Sequence, residues 1–61
     1  MNDGYYWVAF NSYVEHGPFL TAQRCYENGV DETFYSTDFA IQEWRGGNMV
    51  EEWRNMAEVR F

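Results

Sequence analysis

Leu20 and Ile41 are the only leucine and isoleucine in the chain, and against them stand five Tyr, five Phe and three Trp. A core drawn from that set is a core of rings, with Val, Ala and Met filling between them. Each buried ring removes roughly 150–250 Å² from water, which suits a chain too short for many aliphatic side chains. At 61 residues there is room for one domain, and a domain that small buries only about 60% of the surface its unfolded chain exposes. The usual supports of small domains are out of reach. Cys25 is the single cysteine and His16 the single histidine, so neither an internal disulfide nor a zinc set can form. The fold has to stand on packing alone, or on a partner. A disulfide-rich secreted scaffold, a zinc finger, a multidomain protein and a membrane span are not expected.

Lysine is absent. Arg24, Arg45, Arg54 and Arg60 face ten carboxylates, for a net charge of −6. That field repels a phosphate backbone, so direct nucleic-acid binding is disfavoured, and anionic membranes are disfavoured for the same reason. A basic protein surface is attracted instead, and association with it is accelerated at low salt. The plainer reading of the acidity is solubility. Met1-Asn2-Asp3-Gly4 has no basic leader character and no apolar run approaches a membrane span. With one unpaired cysteine, the cytoplasm is the expected compartment.

Tyr5 to Val14 is rich in aromatic and β-branched residues and free of Gly and Pro, which reads as a strand. Both faces are apolar, Tyr6, Val8 and Phe10 on one and Tyr5, Trp7 and Ala9 on the other, so a central position is expected. Glu15-His16-Gly17-Pro18 reads as a turn. From Phe19 to Asn28 the residues Phe19, Ala22, Cys25 and Tyr26 fall at helical spacing, with Asn28-Gly29 as a left-handed stop. A strand returning from a Gly-Pro hairpin is the rival there. Thr33 to Ser36 reads as a short strand. Phe39 to Trp44 reads as another, or as a helix over 39–45 capped from Ser36, Thr37 or Asp38. Asn48 to Met56 reads as a helix: Asn48 caps it, Glu51 stands three residues on, and Met49, Val50, Trp53, Met56 and Ala57 form an apolar stripe. Ala57 to Phe61 alternates and reads as a closing strand.

The order β-α-β-β-α-β predicts an α+β, ferredoxin-like domain: an antiparallel four-stranded sheet with two helices on one face. Its expected core is Tyr6, Val8, Phe10, Phe34, Ile41, Trp53, Met56 and Val59, with Phe39 on the same side. Tyr5, Trp7, Tyr35, Gln42 and Trp44 are then expected on the open sheet face, as an aromatic patch rimmed by charge.

For catalysis, Cys25 and His16 are the one nucleophile–base pair available. Cys25 falls on the buried helix face, where a packed thiol is the plainer reading, and His16 reads as an exposed turn residue. The neighbours Asp31-Glu32 and Glu51-Glu52 do not converge on one bond and lack the spacing of a calcium loop. Gly46-Gly47-Asn48 lacks the lysine of a phosphate loop. No catalytic residue, cofactor or metal is expected. Exposed rings on a sheet can stack bases, but the basic component that drives such binding is missing.

The acidic surface remains. Glu27, Asp31 and Glu32 cluster in the connection after the first helix, Asp38 sits at a turn, and Glu51, Glu52 and Glu58 gather around the second. Carboxylates spaced like a phosphate chain can occupy a DNA-binding groove, and Trp7 and Trp44 would add hot spots that charge alone does not supply. A solvated helix face and a cap account for Glu51 and Glu52 more simply. In size, acidity and aromatic content the chain resembles the small inhibitors carried by phages and mobile elements, anti-CRISPR proteins among them. The resemblance covers the whole chain in style and no part of it in motif. It implies an inhibitor that binds a basic, nucleic-acid-handling host complex, such as a CRISPR surveillance complex, and blocks its DNA binding by DNA mimicry, as a monomer or weak homodimer. The alternative is a structural or assembly module that homodimerises or binds a partner through its open aromatic face.

Overall fold

A computed structural model describes residues 1–61. The chain runs through β1 (Gly4–Ala9), β2 (His16–Phe19), α1 (Ala22–Glu32), β3 (Phe39–Arg45) and β4 (Asn48–Trp53). The sheet is antiparallel throughout, in the order β2-β1-β3-β4. One helix covers it, so the ferredoxin-like arrangement is overturned. No helix is long and apolar enough to cross a membrane.

The missing second helix is explained at Gly46-Gly47. Both residues take left-handed backbone, φ 60° and 81°, as a two-residue hairpin turn that matches strand twist requires. Arg45 pairs with Asn48 across it, and the ladder continues through Gln42 opposite Glu52 to Ile41 opposite Trp53. Residues 48–53 therefore satisfy the backbone of β3 instead of winding into a helix capped by Asn48. Met56 then turns inward and is buried in the core. The expected closing strand over 57–61 does not form. Residues 56–58 make a turn and the tail crosses the helix side, where Phe61 packs edge-on against Trp53 at 5.5 Å and near Tyr26 at 6.0 Å.

β1 is central, as expected, but shorter, and its faces are exchanged. Antiparallel partners share a face, and the register sets Trp7 beside Ile41 and Ala9 beside Phe39. Trp7 therefore joins Cys25, Phe39, Ile41 and Met56 in the core under α1, with Tyr5, Phe19, Tyr26, Val30, Trp53 and Val59 around them. Its indole N–H, which needs a partner once buried, donates to Asn28 Oδ1 on α1 at 2.7 Å. Tyr6, Val8 and Phe10 lie on the other face. Tyr6 is buried there, its hydroxyl donating to the Asn2 carbonyl at 2.8 Å, Val8 is half-buried and Phe10 is exposed.

The residues expected as a turn, His16-Gly17-Pro18, form β2 with Phe19 and pair with the outer edge of β1. His16 stacks on Trp7 with 4.0 Å between ring centroids. The helix starts at Ala22, three residues later than its spacing predicted because Phe19 ends β2, and runs through Asn28-Gly29 to Glu32. Thr21 caps its start by accepting the Arg24 N–H at 3.1 Å. Gly29 serves packing: a Cβ there would lie 2.7 Å from the Phe39 ring. Residues 33–36 form no strand, and Phe34, expected in the core, is 90% exposed.

Candidate functional site

The end of α1 carries three local features that work against stability. Asp31 and Glu32 lie in its last turn with no basic residue to offset them, although the helix dipole is negative there and each such charge costs about 0.3–1 kcal/mol. Phe34 and Tyr35 follow in the left-handed region, φ 57° and 67°. Glycine and asparagine normally fill such positions, and a side chain with a Cβ pays roughly 1–2 kcal/mol of strain per residue. Neither ring offsets this by burial, since Phe34 is 90% and Tyr35 82% exposed.

The turn is held by hydrogen bonds. The Thr33 hydroxyl donates to the Gly29 carbonyl at 2.7 Å and sits 3.1 Å from the Ser36 carbonyl. The Tyr35 N–H donates to the Val30 carbonyl at 2.7 Å and the Ser36 N–H to the Thr33 carbonyl at 3.2 Å. The Asp38 N–H donates to Ser36 Oγ at 3.0 Å, and the Asp38 carbonyl accepts the Phe10 N–H at 3.1 Å. These bonds aim two rings into solvent between Asp31-Glu32 and Asp38. Strained backbone and exposed aromatic surface are thus held together on one turn.

Beside the turn lies a hollow of about 490 Å³, walled by Ala9, Phe10, Asn11, Thr33, Ser36 and Asp38. Phe10 stands between it and a smaller groove on the open sheet face that reaches Gln42, Glu52, Arg54 and Tyr13. The Tyr13 ring is 98% exposed, and the Arg54 guanidinium lies 5.0 Å from the Phe10 ring centroid.

Charge is distributed unevenly over this frame. Arg45 pairs with Glu43 at 3.1 Å and Arg54 with Glu52 at 3.4 Å. Asp31 and Glu32, in the last turn of α1, and Asp38, in the α1–β3 connection, have no such partner. Glu27 is one helical turn back, bonded by Gln23 at 3.4 Å. Glu51 and Glu52 stand on β4, and Glu52 is held by Gln42 at 3.3 Å as well as by Arg54. Glu58 belongs to the C-terminal turn. The acidic residues expected to form one surface are thus divided between α1, the α1–β3 connection, the β4 edge and the C-terminal turn.

Trp7 leaves the site altogether, because its ring is 3% exposed. Trp44 stays on the open face, half-buried, its N–H donating to Gln42 Oε1 at 3.0 Å. Phe34 and Phe10, expected in the core, are surface residues, and Tyr35, expected outward on the sheet face, is exposed on the turn instead. A signal was there for Phe34 and Tyr35: Asp31-Glu32-Thr33 and Ser36-Thr37-Asp38 bracket them with loop composition.

Cys25 is fully buried, and desolvation pushes its thiol up to about 12. It is held as the neutral thiol, without nucleophilic character at physiological pH. No three His, Cys, Asp or Glu side chains converge as a metal-ligand set, and no buried side-chain polar atom lacks a partner. Comparison with known protein families, curated proteins and solved structures finds no match for the chain.

Proposed function

We propose that the chain is a small docking module of the inhibitor type. It sets its α1–β3 turn against a basic surface of a nucleic-acid-handling protein and keeps nucleic acid from that surface. The observation that carries the reading is the adjacent pair Phe34 and Tyr35, held in left-handed backbone with their rings in solvent. Exposed aromatic anchors ringed by charge are what protein–protein hot spots are made from. Asp31, Glu32 and Asp38 beside them, on a chain of net charge −6, select a basic partner and steer its approach. Such a partner surface is also one that binds phosphate, so occupying it excludes DNA. Mimicry of a phosphate chain by a continuous acidic face is a less suitable mode, because the carboxylates are divided between separate elements. Self-association through the open sheet face loses Trp7 as its centre.

The test is capture from a host extract by the wild-type chain and by a Phe34→Gly/Tyr35→Gly variant. The wild type should retain a nucleic-acid-binding protein that duplex DNA displaces. Retention should weaken as salt rises from roughly 0.1 M, where charges are screened over roughly 10 Å. The double variant should lose it. Equal retention by both chains, or a captured partner indifferent to DNA, would refute the reading.

A further inference from the structure

We infer that the hollow between Phe10-Asn11 and the 33–38 turn is a subsite for an arginine side chain, donated by the basic partner on whose existence the inference rests. The walls decide what the hollow can accept. Asp38 contributes a carboxylate with no hydrogen bond or ion pair within the chain, while its N–H and carbonyl are both engaged, with Ser36 Oγ and the Phe10 N–H. The Ser36 N–H is taken by the Thr33 carbonyl, and the Thr33 hydroxyl by the end of α1. Asn11 and Ser36 can each accept or donate, and Asp38 is the one charged residue of the lining, so the hollow is polar with a single negative charge. An anion finds no counter-charge here and meets a carboxylate. A cation carrying several N–H donors fits.

The ring wall distinguishes among cations. Phe10 already holds the Arg54 guanidinium at 5.0 Å, and still keeps 49% of its surface exposed. A guanidinium stacks on a ring and offers a carboxylate two parallel N–H bonds, whereas an ammonium is a more strongly hydrated point charge. At about 490 Å³ the hollow has room for the stem of a long side chain as well as its head.

The test is a titration of the full ¹⁵N-labelled chain, followed by amide shifts, with N-acetyl-arginine methylamide. Its lysine analogue and the neutral isostere N-acetyl-citrulline methylamide are titrated in parallel. Arginine should move the amides of residues 10–11 and 36–38, lysine should do so more weakly, and citrulline should leave them in place. Asp38→Asn, whose side chain has no partner to lose in the fold, should weaken the arginine response roughly fivefold, as expected for one solvated charge contact. Glu58→Gln removes the same charge elsewhere and should leave the response unchanged. The inference is overturned if citrulline or lysine matches arginine, if Asp38→Asn binds undiminished, or if both charge variants weaken equally. Arginine binding without a captured partner would fault the proposed function alone. A captured partner with no arginine response would fault the subsite alone.

Discussion

Replacing Phe34 with glycine removes a whole aromatic side chain from a domain whose core is made of rings, yet the fold should not weaken. A buried Phe truncated to Ala typically loses about 3–5 kcal/mol. Phe34 is 90% exposed, which reduces that loss to a few tenths. Against it stands relief of the left-handed backbone at φ 57°, about 1–2 kcal/mol for a residue with a Cβ. Glycine gives back about 0.5–1 kcal/mol by loosening the unfolded chain. The balance is a stability between unchanged and about 1 kcal/mol higher, and the same sum applies to Tyr35 at φ 67°. In a domain of this size that is a rise in Tm of up to about 8 °C, readable by thermal and urea unfolding followed in the near-ultraviolet. Phe34→Ala separates the two contributions, since it drops the ring and keeps the strain. The glycine variant should be the more stable of the pair by about 1 kcal/mol, the reverse of their order inside a helix. A loss above about 1 kcal/mol in either glycine variant would show that the rings support the fold. The docking end would then have no claim on them.

Gly29→Ala should destabilise, although alanine gains about 1 kcal/mol of helix propensity. Its Cβ would meet the Phe39 ring at 2.7 Å, and overpacking a filled core costs about 1–3 kcal/mol. Pairing it with Phe39→Leu should recover part of the loss, and a higher Tm in Gly29→Ala alone would contradict the packing. Trp7→Ala should cost about 3–5 kcal/mol, near the whole stability of a small domain, whereas Trp44→Ala on the half-open face should cost visibly less in the same unfolding experiment. Cys25 makes stability depend on alkaline pH. Its thiol ionises near the ordinary 9.0 when unfolded and only at about 12 when folded, so its contribution is complete below pH 9 and is lost as pH rises from there through the folded value. Urea unfolding of wild type and Cys25→Ala should diverge over that interval, by at most about 1.4 kcal/mol per pH unit; parallel curves would refute the burial.

Side-chain chemistry alone placed a first strand over Tyr5–Val14, of which only the first half forms, a helix with Cys25 on its inner side, and Ile41 and Met56 in the core, and it left 39–45 open between strand and helix. Each placement rests on properties that a residue carries with it: bulk, branching, periodicity and transfer from water. The face of β1 expected inward, Tyr6-Val8-Phe10, is the wrong one, because Tyr5-Trp7-Ala9 on the other face is equally apolar. The choice is settled by register with β3 and by Asn28, which gives the buried indole its partner. Residues 48–56 read as a helix by their apolar stripe, yet 48–53 form a strand. The strand prevails because the two left-handed glycines return the chain to the unpaired edge of β3, whose N–H and C=O groups must find partners. The proposed docking end was hidden for a related reason. Phe34 and Tyr35 have no intrinsic bias toward left-handed backbone. That conformation is held by the Thr33 hydroxyl's bond to the Gly29 carbonyl and the Tyr35 N–H's bond to Val30, so Phe34, expected in the core, is turned out to solvent and Tyr35 stands off the sheet face where it was expected.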